Sequence, residues 1–491
     1  MSPIDSGDLK IERQGKHLQQ ALYLAIRDKI MHGLWRNQGR LPATRKLAEE
    51  LALSRNTVTA AYEQLCAEGY IESRRGAGFY VAVELPEHYL ASGKPAASLQ
   101  EVSDEEQPEK INQAFAPGVP DLQQFPLALW QKQLQRQLVG KNALGNQSIK
   151  GCLELRVAIA HYLATSRSVQ CTAEQIVITS GAQQALTIAT LCVMGRGDRL
   201  LMEEPGYTQM RKVATLFGIE IETLPVQVRQ GINVQQVCQS SCCAVYLTPS
   251  NQYPMGTTLN TEQRLQIIDW AREKQRWIIE DDYDSEFQFA HRPYTSSQGL
   301  AAQVGAAQQV IYVGSFSKVM FNGLRLGYVV LPKALVEKAC TIKDALTGDS
   351  PTHTQLALAQ FIAEGDLMRH IRKMRRIYKQ KHQQMVESIA RHFASELEII
   401  SQAAGLHITV RWWQGITEQE WVRRAKEHGI IVRPLSYYEH SAYEHSSYEQ
   451  STEQQRDWQG AVLGFGNVRI EDIDDKVALL ASLFKADSAV T

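Results

Sequence analysis

The 491-residue sequence contains no CxxC pair. Its eight cysteines are scattered, and the only adjacent two are Cys242 and Cys243. That spacing argues against a disulfide framework or a zinc site, and it fits free thiols in a reducing cytoplasm. No apolar run approaches the length of a membrane span, and the opening "MSPIDSGDLKIERQGK" is polar, without a signal-peptide core. An excess of charge of one sign is also missing: 52 Lys and Arg stand against 53 Asp and Glu, a net of −1. The chain as a whole therefore has no electrostatic attraction to nucleic acid, and any such attraction is left to local patches. What is there is an ordinary globular composition, 44% hydrophobic and 21% charged, in a chain too long for one core.

The sequence divides into three parts. In residues 1–83, "HLQQALYLAIRDKIMHG" places Leu18, Leu22, Ala25, Ile26 and Ile30 on one helical face and stops at Gly33. A helix from about Ala43 to Leu51 follows. A tight turn then leads to Ser54, a natural N-cap, and a second helix runs to Glu68 and is closed by Gly69. "YIESRRGAGFYVAVE" reads as a hairpin with a basic, glycine-containing tip. Helix, helix-turn-helix and hairpin in that order describe a winged helix. Residues 84–113 are polar, acidic and proline-bearing, which is the composition of a linker. From residue 114 to 491, apolar runs such as "QIVITSG", "RLLMEEPGY", "CAVYLTPS", "RWIIEDDYD" and "QVIYVGSF" alternate with helical stretches. This predicts an α/β fold with a mostly parallel sheet and a smaller carboxyl-terminal α/β lobe. Within that lobe "YEHSAYEHSSYEQST" repeats a five-residue unit and reads as an insertion loop; nothing nearby completes a metal ligand set around its two histidines.

The amino-terminal part has the layout of a DNA reader. Up to residue 83 there are 12 Lys and Arg against 9 Asp and Glu, a net of +3. Ser54, Arg55, Asn56, Thr57 and Thr59 gather at the start and outer face of the second helix, while Val58, Ala61, Tyr62 and Leu65 can pack inward. A helix start attracts phosphate, and Arg and Asn have the geometry to read guanine and adenine edges. Arg45, Arg74 and Arg75 would grip the backbone on either side. A small protein-docking module is the competing reading of the same residues. "GRLPATRKLAEELALSRNTVTAAYEQLCAEGYIESRRGAGFYV" resembles the winged-helix domain of the GntR family of bacterial regulators almost end to end. The resemblance implies DNA binding as a dimer through Arg45, Ser54, Arg55, Asn56, Thr57, Arg75 and Gly76.

In the carboxyl-terminal part, polar groups collect at the carboxyl ends of the expected strands, where open α/β sheets bind ligands. Ser180, Gly181 and Ala182 sit at a strand-to-helix turn that can cradle a phosphate. Tyr207 in "EEPGY" could stack on a flat ring. Asn251 and Gln252 lie beside a proline turn, and Asp281 and Tyr283 follow an apolar strand. "GSFSKVMFNGLRLGY" then places Ser315, Ser317 and Lys318 after another strand, with Arg325 seven residues beyond the lysine. One ligand, pyridoxal 5′-phosphate, would use them all. A deprotonated lysine closes a Schiff base with its aldehyde, a carboxylate keeps its ring nitrogen protonated, and a helix start, serines and an arginine take the phosphate.

Residues from about 114 to 487 resemble the fold-type I aminotransferases, with "SFSKVMFNGLRLGY" as the lysine motif. The resemblance implies a Schiff base at Lys318 and pairing of Asp281 with the pyridine nitrogen. Tyr283 and Asn251 would hold the phenolic oxygen, and Tyr207 would stack on the ring. Gly181, Ala182, Gln183, Ser315, Ser317 and Arg325 would bind phosphate. Two departures stand out. The "NPxG" turn appears as "NQYPMG", and "VLGFGNVRIED" has Gly and Asn where an aminotransferase carries its substrate-carboxylate arginine. Arg433 in "IIVRPLSYY" is a substitute for that arginine, or a surface residue.

A GntR-type winged helix joined to an aminotransferase-like domain is the layout of the MocR-type regulators, which usually carry His where Asn251 stands. The resemblance implies a cytoplasmic homodimer that binds an operator of two half-sites, arranged as direct repeats. It also implies an effector that is pyridoxal phosphate or a small amine or amino acid. The alternative is a working aminotransferase with a vestigial DNA-binding domain.

Overall fold

The computed structural model describes Ile4, Leu9, Gly145 and residues 18–84, 113–138, 147–290, 294–439 and 456–485. Most of the expected linker and most of the five-residue repeats lie outside the described residues. The chain forms two compact units, Met1–Asp104 and Glu105–Thr491.

In the first unit, α1 (Leu18–Met31) buries Leu22, Tyr23, Ile26 and Ile30. Leu18, expected on that face, is 36% exposed. The buried stripe starts one turn later and takes in Tyr23, whose hydroxyl donates to Glu68. Helices α2 (Thr44–Glu50) and α3 (Arg55–Ala67) follow. Ser54 caps α3 by accepting from the Thr57 amide at 3.1 Å, and Val58, Ala61, Tyr62 and Leu65 are fully buried. Strands β1 (Ile71–Arg74) and β2 (Gly78–Val81) pair antiparallel from Ile71↔Val81 to Arg74↔Gly78. Tyr62 fixes the hairpin to the helices: its ring meets Phe79 edge-on at 5.0 Å, and its hydroxyl donates to the Pro42 carbonyl at 3.0 Å.

The second unit opens with α4 (Leu127–Gln137) and α5 (Leu153–Ser166). Strand and helix then alternate through β3 (Ile176–Thr179), α6 (Ala182–Val193), β4 (Arg199–Glu204), α7 (Thr208–Leu216), β5 (Glu220–Gln227) and β6 (Gly231–Ile232). The alternation continues through α8 (Val234–Gln239), β7 (Ala244–Leu247), α9 (Thr261–Glu273), β8 (Trp277–Asp281), α10 (Ser297–Gln303), β9 (Val310–Ser315) and β10 (Gly327–Val330). These strands build one sheet in the order β3-β10-β9-β8-β7-β4-β5-β6. Its centre, β9-β8-β7-β4-β5, is parallel, as the alternation predicts. Strand β10 is inserted antiparallel between β3 and β9. It carries the chain straight back from the lysine segment and so seats Arg325 beside the β3–α6 turn.

Helices α11 (Val336–Thr347), α12 (Thr352–Ala363) and the long α13 (Asp366–Phe393) lead to the smaller lobe. There β11 (Glu398–Ile399), β12 (His407–Trp412), β13 (Arg433–Pro434) and β14 (Gln459–Gly464) form an antiparallel sheet, with α14 (Glu418–Glu427) and α15 (Ile473–Lys485) alongside.

Candidate functional site

In the first unit the polar start of α3 faces solvent. Ser54, Arg55 and Asn56 are exposed and Thr57 is half-buried. Arg45 is exposed on α2 and pairs with Glu49, at 3.3 Å. Arg75 and Gly76 stand at the exposed hairpin tip, where Gly76 has φ +78 and nothing within 4 Å of a would-be Cβ. A side chain there would be strained by its backbone rather than by a neighbour. Arg74 differs from Arg75: it lies 4.4 Å over the Tyr80 ring and bonds Glu72 at 2.7 Å, so it braces the wing.

In the second unit Lys318 follows β9 and is half-buried. Burial pulls its ammonium below the ordinary lysine range, and the charges of Asp284 and Asp281 pull the other way. Its Nζ donates to the carbonyl of Gly118. Asp281 ends β8 and is buried; burial pushes its carboxyl up to about 7. One of its oxygens, Oδ2, accepts from the Tyr246 hydroxyl at 2.8 Å. The other, Oδ1, is buried with no hydrogen-bond partner among the described residues. A buried carboxylate oxygen left this way is a strong acceptor waiting for a donor.

Gly181 caps α6 at φ +102, with no side-chain cap at that helix start. A Cβ there would come within 3.3 Å of Arg325 Nη2, so the exposed guanidinium of Arg325 lies against the turn. Ala182 and Gln183 are the first residues of α6, and Ser315 and Ser317 are half-buried near the end of β9. The structure thus brings the Arg325 guanidinium against an uncapped helix start, a pairing that could hold an anion. Tyr207 bridges it to Asp281: both Asp281 and Arg325 act on its phenol, which burial pushes well up.

Asn251 commits only half of its side-chain amide: its buried Oδ1 has no hydrogen-bond partner among the described residues. Its Nδ2 bonds both oxygens of Asp284, at 3.1 and 3.2 Å, and its backbone carbonyl accepts from the Tyr283 hydroxyl at 2.9 Å. A Cβ at Gly405 would collide with that Asn251–Asp284 pair. Gln252 is likewise committed, bonding the Pro205 carbonyl at 3.0 Å and tying the "NQYPMG" turn to the "EEPGY" turn.

Sequence reasoning missed the residue that stands next to the proline. Tyr253 meets four rings edge-on: Tyr207 at 6.1 Å, Tyr283 at 5.6 Å, His407 at 5.0 Å and Tyr438 at 5.2 Å. Its hydroxyl shares a 2.9 Å hydrogen bond with Tyr438. The "YP" dipeptide in the place of "NP" was the available signal. Tyr438 and His407 come from the smaller lobe and carried none. Arg433 is exposed on β13, 5.4 Å over the Tyr437 ring, and its charge reaches the phenols of Tyr253 and Tyr438. It therefore flanks the same cluster. Among the described residues no group of side chains could hold a metal ion.

Comparison with known proteins agrees with this division. The family "Bacterial regulatory proteins, gntR family" matches residues 18–81, and "Aminotransferase class I and II" matches residues 115–446. The chain is 34% identical over 485 residues to the probable rhizopine catabolism regulatory protein MocR of Rhizobium meliloti, covering 96% of this chain and 94% of that one. It is 30% identical over 414 residues to the pyridoxine biosynthesis transcriptional regulator PdxR of Corynebacterium glutamicum, covering 84% and 87%. Among solved structures, the α-aminoadipate aminotransferase LysN of Thermus thermophilus superposes with a TM-score of 0.68 at 24% identity, over 77% of this chain and 93% of that one. A kynurenine aminotransferase of Pyrococcus horikoshii gives 0.66 at 22%, over 76% and 91%; both show the fold. The exposed helix start and wing, the lysine site at the strand ends and the full-length relatives together place the chain in the MocR type of GntR-family transcriptional regulators, in which a winged helix precedes an aminotransferase class I and II domain.

Proposed function

We propose that this regulator holds pyridoxal 5′-phosphate in its second unit and binds operator DNA through α3 and the wing. The observation that carries the reading is the unpartnered Oδ1 of Asp281, a residue whose charge is felt by Lys318 and which shares Tyr207 with Arg325. The donor set fits the group: an acceptor for a protonated ring nitrogen, an amine for an aldehyde and a cradle for a phosphate. When bound, the cofactor supplies an electrophilic carbon and an electron-withdrawing ring. Lys318 provides the attacking nitrogen, and its depressed basicity keeps more of it neutral near pH 7. Asp281 holds the proton on the ring nitrogen, and Tyr207 covers a ring face. Tyr283 takes the phenolic oxygen. Asn251, whose Nδ2 also braces Asp284, is the second group at that oxygen. Gly181, Ala182, Gln183, Ser315, Ser317 and Arg325 hold the phosphate.

On DNA, Arg55 and Asn56 read base edges. Arg45, Ser54, Thr57, Arg75 and the Gly76 turn fix the backbone. The working form is a cytoplasmic homodimer on two half-sites in direct repeat. The effector is pyridoxal phosphate or its adduct with a small amine or amino acid, whose carboxylate Arg433 would meet. A relative named for pyridoxine biosynthesis supports pyridoxal phosphate itself as a signal. The intact lysine site also favours a second reading, residual transamination.

One titration tests both. Operator affinity is measured with and without pyridoxal phosphate and then with a panel of amino acids, while keto-acid product is assayed in the same samples. A shift in affinity of about 1–3 kcal/mol with little turnover is expected, the usual size of a coupling energy. Fast multiple turnover with unchanged affinity would overturn the regulator mechanism. Lys318→Ala should abolish the borohydride-reducible adduct while leaving the fold intact; labelling of a different lysine would refute the assignment.

A further inference from the structure

Residues Gln113–Asp121 are the first of the second unit to be described, and by chain continuity they follow the segment that leads from the winged helix. They are bound along the smaller lobe. The Ile431 amide donates to the Ala114 carbonyl at 2.9 Å, and the Gly464 amide to the Phe115 carbonyl at 2.9 Å. Phe115 is fully buried at φ +62, a left-handed conformation that a phenylalanine adopts only when its surroundings impose it. A Cβ at Gly464 or at Gly466 would collide with the carbonyls of Ala116 or Val119, so the segment lies directly on the β14 backbone. Asp121 closes the far end: its amide donates to the Tyr378 hydroxyl at 2.8 Å, and its carboxylate accepts from the buried Lys381 at 2.7 Å. In the middle, Gly118 turns at φ +78 and offers its carbonyl to Lys318 Nζ. A Cβ at Gly118 would collide with that nitrogen. The segment is a strap fastened at both ends, and its centre rests on the amine of the reactive lysine.

We propose that this strap reports the chemical state of the Lys318 amine to the chain that leads into the winged helix. The inference rests on the reading that Lys318 condenses with an aldehyde. In that step the neutral amine nitrogen forms a C=N bond, and the carbonyl oxygen leaves as water with both amine hydrogens. The nitrogen then has no N–H for Gly118, and the centre of the strap loses its anchor. A primary amine reverses this. It takes over the C=N bond, its two hydrogens pass to the Lys318 nitrogen, and the free lysine can donate to Gly118 again. The strap therefore has the same state without cofactor and with an amine adduct, and a different one with cofactor alone. An amine effector and the cofactor act in opposite directions on one element.

Hydrogen exchange on the full chain tests this. The reporters are the amides of Ile431, Gly464 and Asp121, which fasten the strap, with the amides of α15 as a folding control. Three samples are compared: protein alone, protein with pyridoxal 5′-phosphate, and that complex after methoxyamine, which captures the aldehyde as an oxime and frees the lysine. Exchange of the three reporters should rise about tenfold with pyridoxal phosphate, the scale of one charge-assisted hydrogen bond, and return after methoxyamine. If the Schiff-base absorption forms and the reporters do not change, the strap proposal is wrong. If no Schiff base forms, the cofactor reading has failed, and Lys318→Met without any aldehyde decides the strap. The same rise against the unmodified chain supports it, and unchanged exchange overturns it.

Discussion

The two units present their candidate chemistry in opposite ways. The winged helix carries it on the outside, on residues adjacent in sequence: Ser54, Arg55 and Asn56 are exposed at one helix start, and Arg75 at one hairpin tip. The second unit collects its groups from the ends of β3, β8 and β9 and from the turn after β4, burying Asp281 and half-burying Lys318, Tyr207 and Tyr283. Burial then moves their acid–base behaviour: the Asp281 carboxyl up to about 7, Lys318 down, and the His407 imidazole down to about 4. A surface that reads a polyanion needs permanent charge within reach of solvent. A site that holds a reactive lysine needs charge that can be given up.

The largest expected effect that sharpens this contrast is at Asp281. Its folded-state value of about 7 lies above the ordinary carboxylate value of 3.8. Stability from the neutral carboxyl is therefore full below about pH 4 and is lost as pH rises through about 7. Without cofactor, Asp281→Asn should remove that loss, making the variant more stable than the parent at pH 8 by roughly 2–4 kcal/mol and little different at pH 4. Denaturant melts at the two pH values measure it. The same variant should bind pyridoxal phosphate more weakly, since the charged acceptor for the ring nitrogen is gone. A variant that is stabilised and still binds equally well would break the link between the orphaned oxygen and the cofactor.

On the exposed side, Arg55→Ala should cost roughly 1–3 kcal/mol at the specific operator and little on random DNA. Arg75→Ala should weaken both alike and reduce the salt slope of binding. Competition binding at several salt concentrations separates the two. Equal losses on both DNAs for Arg55→Ala would make it a backbone contact.

The smallest effect is at the cap. Ser54→Ala removes the 3.1 Å bond to the Thr57 amide and should cost about 1 kcal/mol of winged-helix stability, read by thermal melting of the full chain. No change in that melt would show that water replaces the hydroxyl at this exposed helix start.

Local patterns were legible. The inward face of α3 follows from apolar spacing, and Val58, Ala61, Tyr62 and Leu65 are all fully buried. The strand runs before "TSGAQQAL", "EEPGY", "DDYD" and "SFSK" are the strands that carry the candidate residues. Leu18 was misplaced: it is 36% exposed, and the buried face of α1 begins at Leu22, so spacing alone overstates the buried stripe. At Asn251 the residue type suggested a donor for a ligand. The partner it has, Asp284, lies 33 residues away and could not be inferred from the "NQYPMG" turn.

The sequence by itself determined the two-part organisation, the cap and inner face of the reading helix, and the lysine with an arginine seven residues on. Each of these depends on periodicity or chemistry within one short segment. Only the tertiary structure decided that Tyr253 gathers tyrosines and a histidine from both lobes, that Asp281 keeps one oxygen unpaired, and that Gly118 touches Lys318 across 200 residues. The physical reason is one of distance along the chain. Helix faces and caps are set by neighbours a turn away, whereas a buried site is set by whichever strand ends, loops and lobes the sheet order brings together.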